Sequence, residues 1–192
     1  MATFVLATAN PHKAAEMRQI LEPDGVELLS RPPSVPEIHE TEDTLEGNAL
    51  LKARALCAAT GRAAIADDTG LFIDALDGRP GVYSARYAGK GASSAQNVRK
   101  VLAELATVTR RDARFRSVIA VVYPDASSWW VDGVLEGEIL REPVGDGGFG
   151  YDAIFAPRGS ETSLAQLSAS EKNKISHRAL ALANFAVRLS QR

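Results

Sequence analysis

Apolar positions in this chain recur with two spacings, and the changes of spacing mark its elements. Phe4-Val5-Leu6-Ala7 reads as a short buried strand, after which Asn10 can cap a helix whose first turn accepts Pro11. Ala14, Met17, Ile20 and Leu21 then share one helical face, and Pro23-Asp24-Gly25 ends the helix before a strand at 26–29. Residues 31–43 form a proline-rich, then acidic, connection. Thr44 caps a second helix with the stripe Leu45, Ala49, Ala53 and Leu56; Cys57 lies beside that stripe and Gly61 near the helix end. Residues 63–66 predict a strand, Asp67-Asp68-Thr69-Gly70 a turn, and residues 71–73 a further apolar stretch.

Gly78-Arg79-Pro80-Gly81 is turn chemistry, and Ser93-Ser94-Ala95-Gln96 is a capping box opening a helix with Val98, Val101, Leu102 and Leu105 on one face. Residues 115–123 and 129–139 predict a long hairpin around Pro124-Asp125-Ala126-Ser127. A glycine-rich loop at 145–150 leads to a short strand at 153–155. A second capping box, Ser168-Ala169-Ser170-Glu171, opens one last helix marked by Ile175, Ala179, Leu182, Ala186 and Leu189. No repeat, linker or low-complexity segment interrupts this order. It predicts an α/β fold with a mixed sheet, because the middle hairpin must be antiparallel.

Composition narrows the class. At 192 residues, 45% hydrophobic and 24% charged, the chain has the balance of one globular domain, spanning 1–192. A formal charge of -2 and the lack of any basic block interleaved with aromatics disfavour polymeric nucleic acid as a partner. Cys57 is the only cysteine, so neither an intramolecular disulfide nor a cysteine-based zinc site can form, which suits a reducing compartment. The first residues run straight into a strand, and no apolar run approaches the length of a membrane span. The expectation is a soluble, cytoplasmic protein without a membrane partner.

Five segments carry candidate chemistry. Thr8-Ala9-Asn10-Pro11-His12-Lys13 joins a strand end to a helix start, offering backbone N–H groups, a positive dipole end and an ammonium suited to phosphate; an ordinary capped helix explains the same residues. Glu37, Glu40, Glu42, Asp43 and Glu46 supply hard oxygens, with Asn48 and Lys52 following on one helical face. A divalent cation suits that cluster, and so does a solvated helix start. Asp67-Asp68-Thr69-Gly70 sets two adjacent carboxylates after a strand, where mutual repulsion is relieved by a cation or the residues simply form an Asx turn. Gly145-Asp146-Gly147-Gly148-Phe149-Gly150-Tyr151-Asp152 matches G-x-G-x-x-G literally but lacks the surrounding βαβ unit. It reads as a loop whose glycines admit a ligand, with Phe149 and Tyr151 available for stacking. Lys172, Lys174, Ser176, His177 and Arg178 form a donor-rich run, solvated or turned toward a ligand.

In this order and spacing the segments resemble the Ham1-like family of inosine triphosphate pyrophosphatases. The likeness rests on Thr8-Ala9-Asn10 with Lys13, on Glu40-Thr41 with Thr44 and residues 48–53, and on residues 66–71 and 80–89. It is completed by Gly148-Phe149-Gly150-Tyr151-Asp152 and Ile175-Ser176-His177-Arg178. The resemblance implies a two-lobed fold around a long twisted mixed sheet, an active site in the cleft between lobes, and a homodimer. It implies phosphate binding by residues 8–13, magnesium held by Glu40 and Asp68, Asp68 as proton acceptor, and substrate contacts from Thr69. Phe149, Gly150, Tyr151, Asp152, Lys172, His177 and Arg178 match the nucleotide and base contacts. Two departures stand out: Glu42 where a glycine is usual, and Ala153 where a proline is common.

The implied reaction is magnesium-dependent hydrolysis of non-standard purine triphosphates (ITP, dITP, XTP) to monophosphate and pyrophosphate, with Lys13 and Lys52 sharing the phosphate charge. Donors from Lys172, His177 and Arg178 should favour purines carrying oxygen at position six over adenine. The rivals are a Maf-like pyrophosphatase of different base preference, against which Ser176-His177-Arg178 argues, and a non-catalytic nucleotide-binding module, against which Glu40 and Asp68 argue.

Overall fold

The structure, a computed structural model, describes residues 2–36 and 38–191. Its strands form one mixed sheet in the order β2-β1-β3-β5-β6-β7, with β4 paired to β3. These are β1 (Ala2–Leu6), β2 (Val26–Leu29), β3 (Ala64–Ile73), β4 (Pro80–Gly81), β5 (Asp112–Val122), β6 (Ser128–Ile139) and β7 (Phe155–Pro157). The helices are α1 (Pro11–Leu21), α2 (Leu45–Thr60), α3 (Ser94–Glu104), α4 (Ala169–Ile175) and α5 (His177–Ser190). β1 runs parallel to β2 and β3, with Val5 opposite Leu29 on one side and Ala64 on the other, whereas β4 and β7 pair antiparallel. Among the described residues no helix is long and apolar enough to cross a membrane.

By its internal contacts the chain divides into two compact units. One comprises residues 1–68, 117–133 and 178–192; the other comprises 69–116 and 134–177. In the first unit, period-two alternation sorts side chains onto two faces of the sheet. Phe4, Leu6, Ile65, Ile119 and Val121 pack with Met17 and Leu21 of α1 and Leu182 and Phe185 of α5. Val5, Ala64, Ala66 and Val122 pack on the other face with Ala53, Leu56 and Cys57 of α2. The second unit is built around Leu71, Ile73, Val98, Val101, Leu105, Phe115, Ile154 and Phe155.

The capping signals are realised: Asn10 accepts from the His12 and Lys13 N–H groups, Thr44 from Gly47, and Ser93 and Ser168 complete capping boxes. Three sequence expectations are corrected. Residues 67–70 are not a turn but the middle of the ten-residue β3. The expected last helix is two, because Ser176 adopts extended backbone (φ -65°, ψ 155°) between α4 and α5, and Ile175 is exposed instead of joining the stripe. The strand expected at 153–155 begins at Phe155, since Asp152–Ile154 coil into a 3-10 turn.

Gly70 is what lets β3 continue past the aspartates. A Cβ there would lie 2.6 Å from the Gly81 carbonyl oxygen, so only glycine allows β4 to approach.

Candidate active site

Asp67 and Asp68 are consecutive on a strand and therefore point to opposite faces of the sheet. That geometry corrects the picture of two repelling carboxylates sharing one turn, because each is answered by its own cations. Asp67, on the α1 and α5 face, accepts from Arg178 Nε at 2.7 Å and lies 3.4 Å from Lys13 Nζ. Asp68, on the α2 face, accepts from Lys52 Nζ at 2.8 Å through Oδ1. Its second oxygen, Oδ2, is buried and has no hydrogen-bond partner among the described residues.

Lys52 ties the second group together. Its Nζ donates also to Glu40 Oε1 at 2.9 Å and to the Asp67 carbonyl at 2.8 Å. Asn48, one turn earlier on α2 and fully buried, accepts from the Glu42 N–H at 3.0 Å and donates to the Glu42 carbonyl at 3.2 Å. This two-bond clamp fixes the loop that carries Glu40. Residue 42 is held through its backbone and its side chain is exposed, so the glutamate in place of the usual glycine leaves the clamp intact. Glu42 and Asp43 both face solvent, and Glu37 lies outside the described residues. Of the acidic run, Glu40 is the carboxylate turned to Lys52.

Burial shapes the electrostatics. It pushes the Asp68 carboxyl up to about 6, with Lys52 and Lys13 opposing and Glu40 adding to the rise. Burial also holds the Lys13 ammonium below the usual lysine range against the pull of Asp67. At Lys52 burial acts in the same downward direction, but the Asp68 and Glu40 carboxylates outweigh it and the pKa rises. Arg178 follows the same pattern: burial lowers its pKa, and Asp67 and Glu16 more than restore it.

Around this core, Thr8 is half-buried and its Oγ1 accepts from the Asn10 N–H at 3.1 Å, while Ala9, Pro11 and His12 are exposed at the mouth of α1. Asn10 and Lys13 complete the segment, half-buried. Thr69 is half-buried on β3 next to Asp68.

In the second unit the loop and α4 form a separate cluster. Lys172 Nζ lies 2.6 Å from Asp152 Oδ2 and 4.5 Å from the centre of the Phe149 ring, and the same carboxylate oxygen accepts from the Phe149 N–H at 2.8 Å. Phe149 and Gly150 are half-buried, whereas Asp152 and Lys172 are sealed. His177 is buried and stacked on Phe115, with ring centres 4.5 Å apart. Tyr151 is 5% exposed, packs in the core, and donates its hydroxyl to the Ser84 carbonyl at 2.8 Å. Ala153 contributes its carbonyl, accepting from Val144, a bond that the usual proline would also make.

Arg178 belongs to the first unit, donating to Asp67 and, through Nη1, to Glu16. Sequence reasoning missed Glu16 and the separate duty of Asp67. The one available signal was Glu16 falling three residues after Lys13 on α1, a spacing that shares a helical face.

A model of the Ham1 family matches residues 4–188. A dITP/XTP pyrophosphatase of Bacillus subtilis is 48% identical over 186 residues, covering 95% of this chain and 94% of that protein. One from Nitratidesulfovibrio vulgaris is 49% identical over 191 residues, covering 94% and 92%. Among solved structures, a HAM1 protein from Coxiella burnetii superposes with a TM-score of 0.91 at 43% identity over 100% of both chains. The Staphylococcus aureus Ham1 protein gives 0.87 at 38% identity over 98% of each.

Proposed function

The chain belongs to the Ham1 family, and from that premise we propose that it hydrolyses non-standard purine nucleoside triphosphates, dITP and XTP among them, to the monophosphate and pyrophosphate. The observation that carries the reading is the Asp68 carboxylate, one oxygen anchored on Lys52 and the other buried with no partner among the described residues. A buried acceptor in that state is costly unless something binds it.

Magnesium fits this donor set. It needs only one or two protein carboxylates beside water and substrate phosphates, and Glu40 with Asp68 would hold it. When bound, magnesium supplies Lewis-acid charge against the triphosphate oxygens. The protein's own part is separate. Asp68 Oδ2 takes a proton from the water that attacks the α-phosphorus, and the bond from that phosphorus to the α,β-bridging oxygen breaks, releasing pyrophosphate. In the metal-free protein, burial raises the Asp68 carboxyl above the ordinary aspartate range, which favours its taking up a proton. The start of α1, residues 8–13, offers N–H groups and the Lys13 ammonium to phosphate. Phe149 offers a ring face to the base, and Lys172 with Asp152 offers a fixed donor and acceptor pair beside it.

The reading further takes the enzyme to be a cytoplasmic homodimer, which follows from the family likeness and agrees with a lone buried cysteine, Cys57. Pyrophosphate release from ITP, dITP, XTP, ATP and dTTP, with magnesium and with chelator, tests the assignment. Rapid turnover of the six-oxo purines that stops in chelator is expected; equal turnover of dTTP, or full activity without metal, would overturn it. Sedimentation at micromolar concentration checks the dimer.

A further inference from the structure

We propose that Ser163 is a positioning residue for base selection: its hydroxyl, with the Ala165 carbonyl, holds the glycine loop at 145–150 and so fixes the Phe149 ring and the Lys172–Asp152 pair. This role rests on the reading of that cluster as the base site. The sequence pattern suggests glycines that admit a ligand, yet three of them admit the protein itself. A Cβ at Gly145 would lie 2.8 Å from the Ala165 carbonyl oxygen, one at Gly147 would lie 2.7 Å from the same atom, and one at Gly148 would strike the Asp152 carboxylate. The Ala165 carbonyl is thus a docking point for the loop, and the Gly147 N–H donates to it at 2.9 Å.

Ser163 supplies a second hold. It is 0% exposed, and its hydroxyl donates to the Val144 carbonyl at 2.5 Å. The Val144 N–H donates to the Ala153 carbonyl at 2.8 Å, so Val144 links Ser163 to the residue next to Asp152. Asp152 in turn accepts from the Phe149 N–H at 2.8 Å and from Lys172 Nζ at 2.6 Å.

The support is rigid where the loop is not. The Ser163 N–H donates to Gln166 Oε1 at 2.9 Å, the Gln166 N–H donates to the Ser163 carbonyl at 3.1 Å, and Leu164 packs fully buried in the core of the second unit. Residues 145–148 are exposed, and three of the four are glycines with no side chain to pack. A segment of this kind keeps its place through hydrogen bonds to its surroundings and not through burial. Each bond to it therefore carries more of its geometry than the same bond would in a packed helix.

In Ser163→Ala, the preference for ITP over ATP in kcat/KM should shrink about fivefold, the effect of one neutral hydrogen bond, through a higher KM for ITP with kcat little changed. The preference for inosine over adenosine monophosphate in equilibrium binding should shrink by the same factor, while inorganic tripolyphosphate binds within about twofold of wild type. Ser163→Thr keeps the hydroxyl and should restore both preferences; a threonine variant as unselective as the alanine one would assign the effect to packing and overturn the proposal. Gly147→Ala pushes the loop off the Ala165 carbonyl from the other side of the contact. It should reproduce the loss of preference, and it decides the question should Ser163→Ala fail to fold. ITP and ATP slowed by one common factor, the mark of a merely structural serine, would overturn the proposal, as would unchanged preferences. Lys172→Met separates the proposal from its premise: a ratio altered there but unchanged in Ser163→Ala strikes the positioning role alone, and a ratio unchanged in both strikes the base site as well. Wild-type protein that binds inosine monophosphate but leaves ITP intact fails only as a hydrolase, and the monophosphate measurements still judge Ser163.

Discussion

Arg178 donates its Nε–H to Asp67 Oδ2 at 2.7 Å, and both side chains are sealed from solvent, at 1% and 0% exposure. The pair joins residues 111 positions apart in sequence, and Glu16 receives the guanidinium's Nη1. A guanidinium so engaged is held by acids on both sides, in the unit that also carries residues 8–13 and Asp68.

The first prediction follows from that pairing. Arg178→Ala deprives the buried Asp67 carboxylate of its guanidinium partner, and removing one partner of a buried pair costs about 3–5 kcal/mol. Denaturant unfolding should record a loss of that size. Turnover of ITP and ATP should fall by the same factor; a narrowed ratio between them would return Arg178 to the base-reading role expected from its motif.

Asp68→Asn preserves volume and removes the proposed proton acceptor. Loss of general-base catalysis lowers rates by about 10²–10⁴-fold, and kcat should fall by at least the lower of these while the affinity for nucleotide changes little. Single-turnover kinetics beside equilibrium binding would check this. Near-normal turnover would remove Asp68 from the chemistry.

Asp68 also sets a pH dependence. Burial raises its folded-state pKa to about 6, Lys52 and Lys13 opposing, whereas an unfolded aspartate titrates near 3.9. The folded state therefore holds the proton more tightly. The stability this contributes is complete below about pH 4 and is lost as pH rises through about 6. In chelator, wild type should lose up to about 3 kcal/mol relative to Asp68→Asn across that window. Parallel stability curves for the two proteins would contradict the raised pKa.

Base selection should depend on Lys172, whose ammonium fixes Asp152 at 2.6 Å and covers the Phe149 ring. Lys172→Met removes the ammonium that donates to Asp152 and lies over the Phe149 ring. The preference for ITP over ATP should shrink by about 10-fold or more, mainly through kcat/KM for ITP. An unchanged ratio would show that this cluster does not read the base.

Gly70→Ala should damage the fold without touching a charged group. The added Cβ would meet the Gly81 carbonyl oxygen at 2.6 Å, and overpacking of this kind costs about 1–3 kcal/mol. Thermal unfolding measures it, and a neutral outcome would mean that β4 can move away from β3 at no cost.

The sequence by itself determined the elements whose causes are local. Asn10 with Pro11, Thr44 with Gly61, and the two serine capping boxes act within four residues or mark the ends of an apolar stripe, and each is found where the pattern put it. The collinear motifs singled out Glu40, Lys52 and Asp68, which ion pairs bring together. Tertiary structure alone decided how those residues divide their work. Asp67-Asp68-Thr69-Gly70 has turn propensity, yet it becomes the middle of β3 because Lys13, Lys52 and Arg178 arrive from three helices to compensate the buried charge. Strand alternation then sends the two aspartates to opposite faces, a consequence invisible while the segment is read as a turn. Arg178 pairs with Asp67 and Glu16, and Tyr151 enters the core, for the same reason: their partners lie far away in sequence, and only packing brings them within reach.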